Sequence, residues 1–202
     1  PNYAFARGFY STLLTSMGRP QEGRAQIERA LELDPHNAFF QSSLGLQLVF
    51  RRQYDEAMAQ TREVLRKEPD SFTAHGHLAN AFHQKGMYEE ELAERKKFFA
   101  LRGDSEVAEA LARGYAQGGY AGAMRLAAEK LAARSKLTYV QPTQVAHLYA
   151  YAGEKDRALE WLEKAYQEGA SQLVAINVAV QWDSLRDDPR FHSLLRRMNF
   201  LE

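Results

Sequence analysis

The sequence predicts an all-α chain: a solenoid of about five helical hairpins closed by a C-terminal capping helix. Three observations predict it. Pro1, Pro35 and Pro69 are spaced by 34 residues (35 − 1 and 69 − 35). Three slots repeat in the same phase, with one residue lost before the fourth copy: Tyr10, Leu44, Leu78, Leu111, Val145; Ser11, Gly45, Ala79, Ala112, Ala146; and Leu14, Leu48, Phe82, Tyr115, Tyr149. A turn slot agrees, reading Gly18, Arg52, Gly86, Gly119 and Gly153, with glycine where helix C-termini favour it. A period of this length marks a unit that cannot bury its apolar face alone and therefore stacks on copies of itself.

The first four repeats fall at about 4–35, 36–69, 70–103 and 104–135. In the first, a helix from about Tyr3 to Met17 pairs with one from Pro20 to Leu33; Gly18 ends the former, and Pro20 opens the latter where a missing N–H costs nothing. In the second, Leu44, Gly45 and Leu48 share a side, Arg51–Gln53 makes the turn, and Ala57, Met58, Val64 and Leu65 form the facing stripe. Asn37 is placed to cap the first helix of this repeat, and Ser71 that of the third. Met87 to Leu101 is the most charged helix. Its Glu89, Glu90, Glu91 and Glu94 precede Arg95, Lys96 and Lys97, which suits the helix dipole and i, i+4 pairing and reads as a solvated outer face. The fourth repeat is alanine-rich and contains Gly114, Gly118, Gly119 and Gly122, so it reads as the flexible point of the array.

Residues 136–141 read as a short extended linker. The fifth hairpin covers 142–170, with Trp161, Leu162 and Ala165 on the inner stripe of its second helix. The period then ends, and 171–202 reads as a capping segment. Its last helix opens at Asp188–Pro189 and carries Phe191, Leu194, Leu195 and Met198 on one side. Arrays need such an end to hide the last apolar face. Because Pro1 shares the phase of Pro35 and Pro69, the chain reads as a piece of a longer protein that starts at a repeat boundary.

The periodic slots resemble the tetratricopeptide repeat family, whose unit carries W-x2-L-G-x2-Y, then A-x3-F, then proline. Departures occur: the Trp slot holds Arg7, Gln41, His75, Ala108 and Pro142, and the alanine slot of the second helix holds Gly23, Ala57, Glu91, Met124 and Ala158. The resemblance implies a right-handed α-solenoid. The run from Ala146 through Gly153–Leu162, followed by Trp182–Phe191, also resembles the C-terminal repeat region of bacterial multidomain signalling and regulatory proteins. In those, such repeats follow a kinase, cyclase or winged-helix domain.

Composition narrows the function. The 26 basic and 26 acidic residues cancel, and the basic ones are scattered in pairs such as Arg51–Arg52 and Lys96–Lys97, so nucleic acid is an unsuitable partner. No run approaches the ~18 apolar residues of a membrane span. Without cysteine there is no disulfide or thiol chemistry, which fits the cytoplasm and leaves the periplasm open. No phosphate loop, Gly-x-Ser-x-Gly elbow, His-Glu-x-x-His or Cys/His cluster occurs, so the chain reads as neither an enzyme nor a cofactor binder. His75 and His77 look like a chelating pair, but two residues apart on a helix they point to different faces.

The remaining candidate is the concave side of the first helices, which in the tetratricopeptide family holds extended or helical peptides. Helical spacing places there Phe5 and Phe9 (with Thr12 and Ser16), then Phe39, Leu46 and Phe50 (with Ser43), then His77, Asn80 and Gln84 (with Thr73). Arg113 and Gln117 extend it in the fourth repeat, and His147 and Tyr151 (with Gln144) in the fifth. Only Asn80 and Arg113 match in kind the Lys/Asn/Arg clamp by which some members hold chaperone C-termini, which disfavours that role. Two functions stay open. One is an interaction module that binds a peptide or protein partner in this groove; the other is a structural or sensory segment that forms a homodimer or holds an upstream domain. In the second case Phe9, Leu46 and Phe50 merely pack neighbouring helices.

Overall fold

The structure is a computed structural model that describes residues 3–200. Pro1, on which the first proline of the period and the reading of the chain start rest, lies outside the described residues. Among the described residues there are helices and no strands, and no helix is long and apolar enough to cross a membrane. The chain forms two compact units, Pro1–Arg102 and Gly103–Glu202.

The described residues of unit 1 form six helices: α1 Ala4–Ser16, α2 Pro20–Leu33, α3 Ala38–Phe50, α4 Tyr54–Lys67, α5 Phe72–Gln84 and α6 Tyr88–Leu101. They pair as hairpins α1/α2, α3/α4 and α5/α6. Each second helix also packs on the next first helix, α2 on α3 and α4 on α5, and the first helices touch one another in order. Between α2 and α3 the contact is a fully buried cluster of Ile27, Ala30 and Phe40, flanked by Leu31 and Leu44.

The turns explain the glycine slot. Gly18, Gly86, Gly119 and Gly153 all take a positive φ, between 61° and 80°, and Arg52 does so too, at φ 62°. A side chain is disfavoured there, so the second repeat carries a strained residue where its counterparts have none. The helix ends follow local chemistry. Asn37 caps α3 by accepting the Phe40 N–H at 3.3 Å, and Asp55, Glu56, Arg66 and Lys67 complement the dipole of α4. Ser71 precedes α5, but its hydroxyl faces Thr73 Oγ1 at 3.3 Å instead of capping a backbone N–H.

The reading of α6 as a solvated face is corrected at two positions. Glu91 and Arg95 are buried, paired at 2.7 Å, and Arg95 also donates to Asn80 Oδ1 at 3.0 Å. Glu91 sits in the slot that holds Ala57 one repeat earlier. A carboxylate is tolerated there because a guanidinium one turn away neutralises it and a side-chain amide satisfies part of that guanidinium.

Unit 2 opens with α7, Ser105–Arg134, which is interrupted at Gly118 (φ −153°) and Gly119 (φ 61°), so its two arms form a hairpin. Gly114 and Gly122 bring the arms together: a Cβ on Gly114 would lie 2.3 Å from the Gly122 carbonyl oxygen. The small-residue slot thus shifts in this repeat, because Ala112 is exposed and Gly114 is the residue at the contact. Asp104 and Arg134, at the two ends of α7, close the hairpin with a bidentate pair at 2.5–2.8 Å. Residues 135–141 are non-helical. Then follow α8 Pro142–Tyr151, α9 Lys155–Gln167, the 3-10 turns η1 Ser171–Ala175 and η2 Val180–Leu185, and α10 Pro189–Arg197. Asp188 caps α10 by accepting the Arg190 N–H at 2.9 Å. Within this unit η2 covers α8 and α10 packs on α9, burying Trp182, Leu185, Phe191, Leu194 and Leu195.

Candidate functional site

A cleft of about 400 Å³ opens across the first helices of unit 1. Its apolar wall is Ala38, Phe39 and Leu46 of α3. Its polar lining is Thr12 of α1, Ser42 and Ser43 of α3, and Thr73 and His77 of α5, with Glu68 and Ser71 from the α4–α5 turn. Along α3 the lining recurs every three or four residues, from Ala38 and Phe39 to Ser42 and Ser43 to Leu46, and Thr73 and His77 are four apart, so helical periodicity brings each set to one side.

Phe39 connects the cleft to an aromatic surface. It stacks on Phe5 at 6.1 Å and 20°, meets Phe9 at 5.1 Å, and stands edge-on to the buried Phe40 at 5.7 Å. Phe5, Phe9 and Phe39 nevertheless stay partly exposed. Their faces are thus fixed by neighbouring rings and remain open to a ligand.

The cleft is nearly neutral. Burial pushes the His77 imidazole down to about 4, opposed by its hydrogen bond with Ser42, so at neutral pH the ring is uncharged. Its Nδ1 lies 3.4 Å from Ser42 Oγ. An imidazole so weakly basic is a poor general base, and the contact serves as a bridge between α3 and α5. Among the described residues, Glu68 is the one carboxylate in the lining. Chemically, the cleft offers an apolar wall, a row of hydroxyls and a neutral imidazole: anchors for an apolar side chain, and donors and acceptors for peptide amides.

The other residues picked from the sequence lie elsewhere. Phe50, half-buried at the C-terminal end of α3, and Gln84, half-buried at that of α5, do not line this cleft. Asn80 turns towards α6 to accept from Arg95, and Ser16 is buried. In unit 2, Arg113 and Gln117 are exposed on the first arm of α7, and Gln117 lines a separate cleft of about 260 Å³ with Arg125 and Glu129. Tyr151 is buried, with His147 edge-on to it at 4.2 Å and 6.2 Å from Trp182, so the capping segment closes over this pair. Ser42, Ala38, Glu68 and Ser71 are lining residues that sequence reasoning misses. Ser42 was signalled by its place beside Ser43; the turn residues had no periodic signal.

His75 is separate from the cleft. It is buried, with Nε2 2.8 Å from the Pro69 carbonyl oxygen and Nδ1 bonded to Glu94. Among the described residues no group of three or more His, Asp or Glu side chains could hold a metal ion. In class, the described residues form helical hairpins that pack in chain order within each unit. No family model matches it, and no curated protein matches it.

Proposed function

We propose that the chain is a tetratricopeptide-type array, a right-handed solenoid of about five hairpins, and that the unit 1 cleft captures an extended or helical segment of a protein partner. The 34-residue spacing of the prolines and the residue of positive φ in each turn slot support the first part. The observation that carries the second is the cleft itself: Phe39 and Leu46 on one wall face hydroxyls and His77 on the other. Peptide grooves commonly pair pockets for a few anchoring side chains with groups that bond the backbone. The apolar anchors supply most of the energy, and the polar groups set orientation. Glu68 favours a segment with a basic residue near its anchor.

The test is to select peptides against the folded chain from a random display library and map the best binder by backbone amide shifts. Shifts clustered on α1, α3 and α5 around Ser43, Leu46 and Thr73 are expected. A binder whose shifts fall only outside these helices overturns the assignment.

A further inference from the structure

The turn inside α7 differs from the turns of the other hairpins. Those set three residues between their helices, at 17–19, 51–53, 85–87 and 152–154, whereas within α7 only Gly118 and Gly119 leave helical backbone. Neither glycine is wedged in place by its surroundings. A Cβ at Gly118 would meet only Arg125 Nη2, at 3.7 Å, and one at Gly119 would meet nothing within 4 Å. What requires glycine is the Gly119 backbone, φ 61° and ψ −153°, which side chains disfavour. Returning these two residues to helical dihedrals converts the hairpin into one continuous helix, and the alanine-rich arms on either side favour that state.

The contacts between the arms are arranged about the same point. Gly114 and Gly122 lie four residues either side of Gly118, Glu106 and Lys130 twelve either side, and Asp104 and Arg134 fourteen and sixteen. The first pair meets backbone to backbone, the second is an ion pair at 2.9 Å, and the third is bidentate at 2.5 and 2.8 Å. Two continuous α7 helices from two copies, antiparallel with a two-fold axis at Gly118, remake each of these contacts twice. Arm 105–117 of one copy then packs on arm 120–134 of the other. Gly118 finds a use in that arrangement that it lacks in the hairpin: the two copies of it face each other, one turn from each Gly114–Gly122 contact, where a side chain would hold the helices apart.

We infer that α7 is an arm-exchange element whose partner is a second copy of this chain, the two joined through opened α7 helices. Val107, Leu111, Met124 and Leu131, fully buried in the closed unit, are uncovered during opening and covered again in the pair, so exchange is slow and concentration-dependent. The closed hairpin holds at low concentration, because glycine is a poor helix former and association costs translational and rotational freedom. The inference is independent of the α3/α5 cleft and of what binds there.

The test measures mass by light scattering after refolding at high concentration. Gly119→Ala strains the turn but suits a continuous helix, so it should raise the dimer fraction by roughly tenfold or more over the original chain. Ala121→Pro lies at an exposed site in the first turn of the second arm, the slot that Pro20 holds in the first repeat. Proline is tolerated there in the hairpin but breaks a continuous helix, so adding it should return the Gly119→Ala chain to monomer. Asp104→Arg and Arg134→Asp each set like charges across the closed hairpin; refolded together, the two variants restore opposite charges only between copies, and a one-to-one heterodimer is expected. A Gly119→Ala chain that folds as a monomer overturns the inference, as does a dimer that Ala121→Pro leaves intact. If Gly119→Ala does not fold, the mixed variants decide: the heterodimer supports arm exchange, and any other result overturns it.

Discussion

His77 Nδ1 lies 3.4 Å from Ser42 Oγ and joins α5 to α3 across the floor of the unit 1 cleft. Burial holds this imidazole neutral, down to about 4, and a second one, His83, down to about 3, where the nearby Arg95 guanidinium adds to the effect. In the unfolded chain both titrate near the usual 6.5. Between about 6.5 and 4 the unfolded state therefore binds more protons than the folded one, and stability falls as pH falls through that window. Urea midpoints measured from pH 7.5 to 4.5 should decline, and His77→Gln should flatten the decline. A flat profile in the parent chain would contradict a neutral, half-buried His77.

Arg95 and Glu91 form the second linked pair, buried between α5 and α6. Arg95→Ala leaves the Glu91 carboxylate without its guanidinium and should cost ~3 to 5 kcal/mol. Glu91→Ala with Arg95→Leu removes both charges and restores the alanine slot, so the double variant should come within ~1 kcal/mol of the parent or exceed it. Equal destabilisation by the single and the double variant in a chemical-denaturation cycle would argue against this account.

Arg52 offers the opposite sign. Its positive φ is shared with glycine in every other turn slot, so Arg52→Gly relieves local strain at the expense of a more flexible unfolded chain. A net gain of ~0.5 to 1 kcal/mol is expected. A lower melting temperature would show that the Arg52 guanidinium, 3.4 Å from Tyr54 Oη, outweighs the backbone strain.

Gly114 and Gly45 separate backbone from side-chain crowding. A Cβ at Gly114 meets the Gly122 carbonyl oxygen at 2.3 Å, whereas one at Gly45 meets only Thr61 Oγ1, at 2.9 Å. Gly114→Ala should therefore push the α7 arms apart at ~2 kcal/mol or more, while Gly45→Ala costs less because the Thr61 hydroxyl can turn away. Thermal melts of the two variants check the order.

These contrasts show what the sequence makes legible. Periodicity locates the hairpins and turn residues because each repeat solves the same packing problem with the same slots; Leu44 and Leu78 are interchangeable in kind. It also selects Phe39, Leu46 and His77 as one side of the first helices, because 3.6-residue spacing is a local property. It misplaces Glu91 and Arg95, since two opposite charges one turn apart look alike whether solvated or neutralised in a core. It misplaces Asn80 and Tyr151 for a related reason: the partners that turn them inward, Arg95 on the next helix and the capping segment around Trp182, are set by tertiary packing. The shift from Ala112 to Gly114 follows from the Gly118–Gly119 break, where α7 turns without the loop that separates the other hairpin helices.

The central claim is that the cleft walled by Phe39 and Leu46 binds a partner segment. The most direct measurement is the dissociation constant of a display-selected peptide for the parent chain, Leu46→Arg and Phe50→Ala, each with its melting temperature. Leu46→Arg, a partly exposed site, should keep the fold and weaken binding by ~10-fold or more, because it places a long charged chain against the apolar wall. Phe50→Ala, outside the cleft lining, should lower the melting temperature and leave the affinity of the folded protein within about twofold. Unchanged affinity in a folded Leu46→Arg chain would contradict the claim.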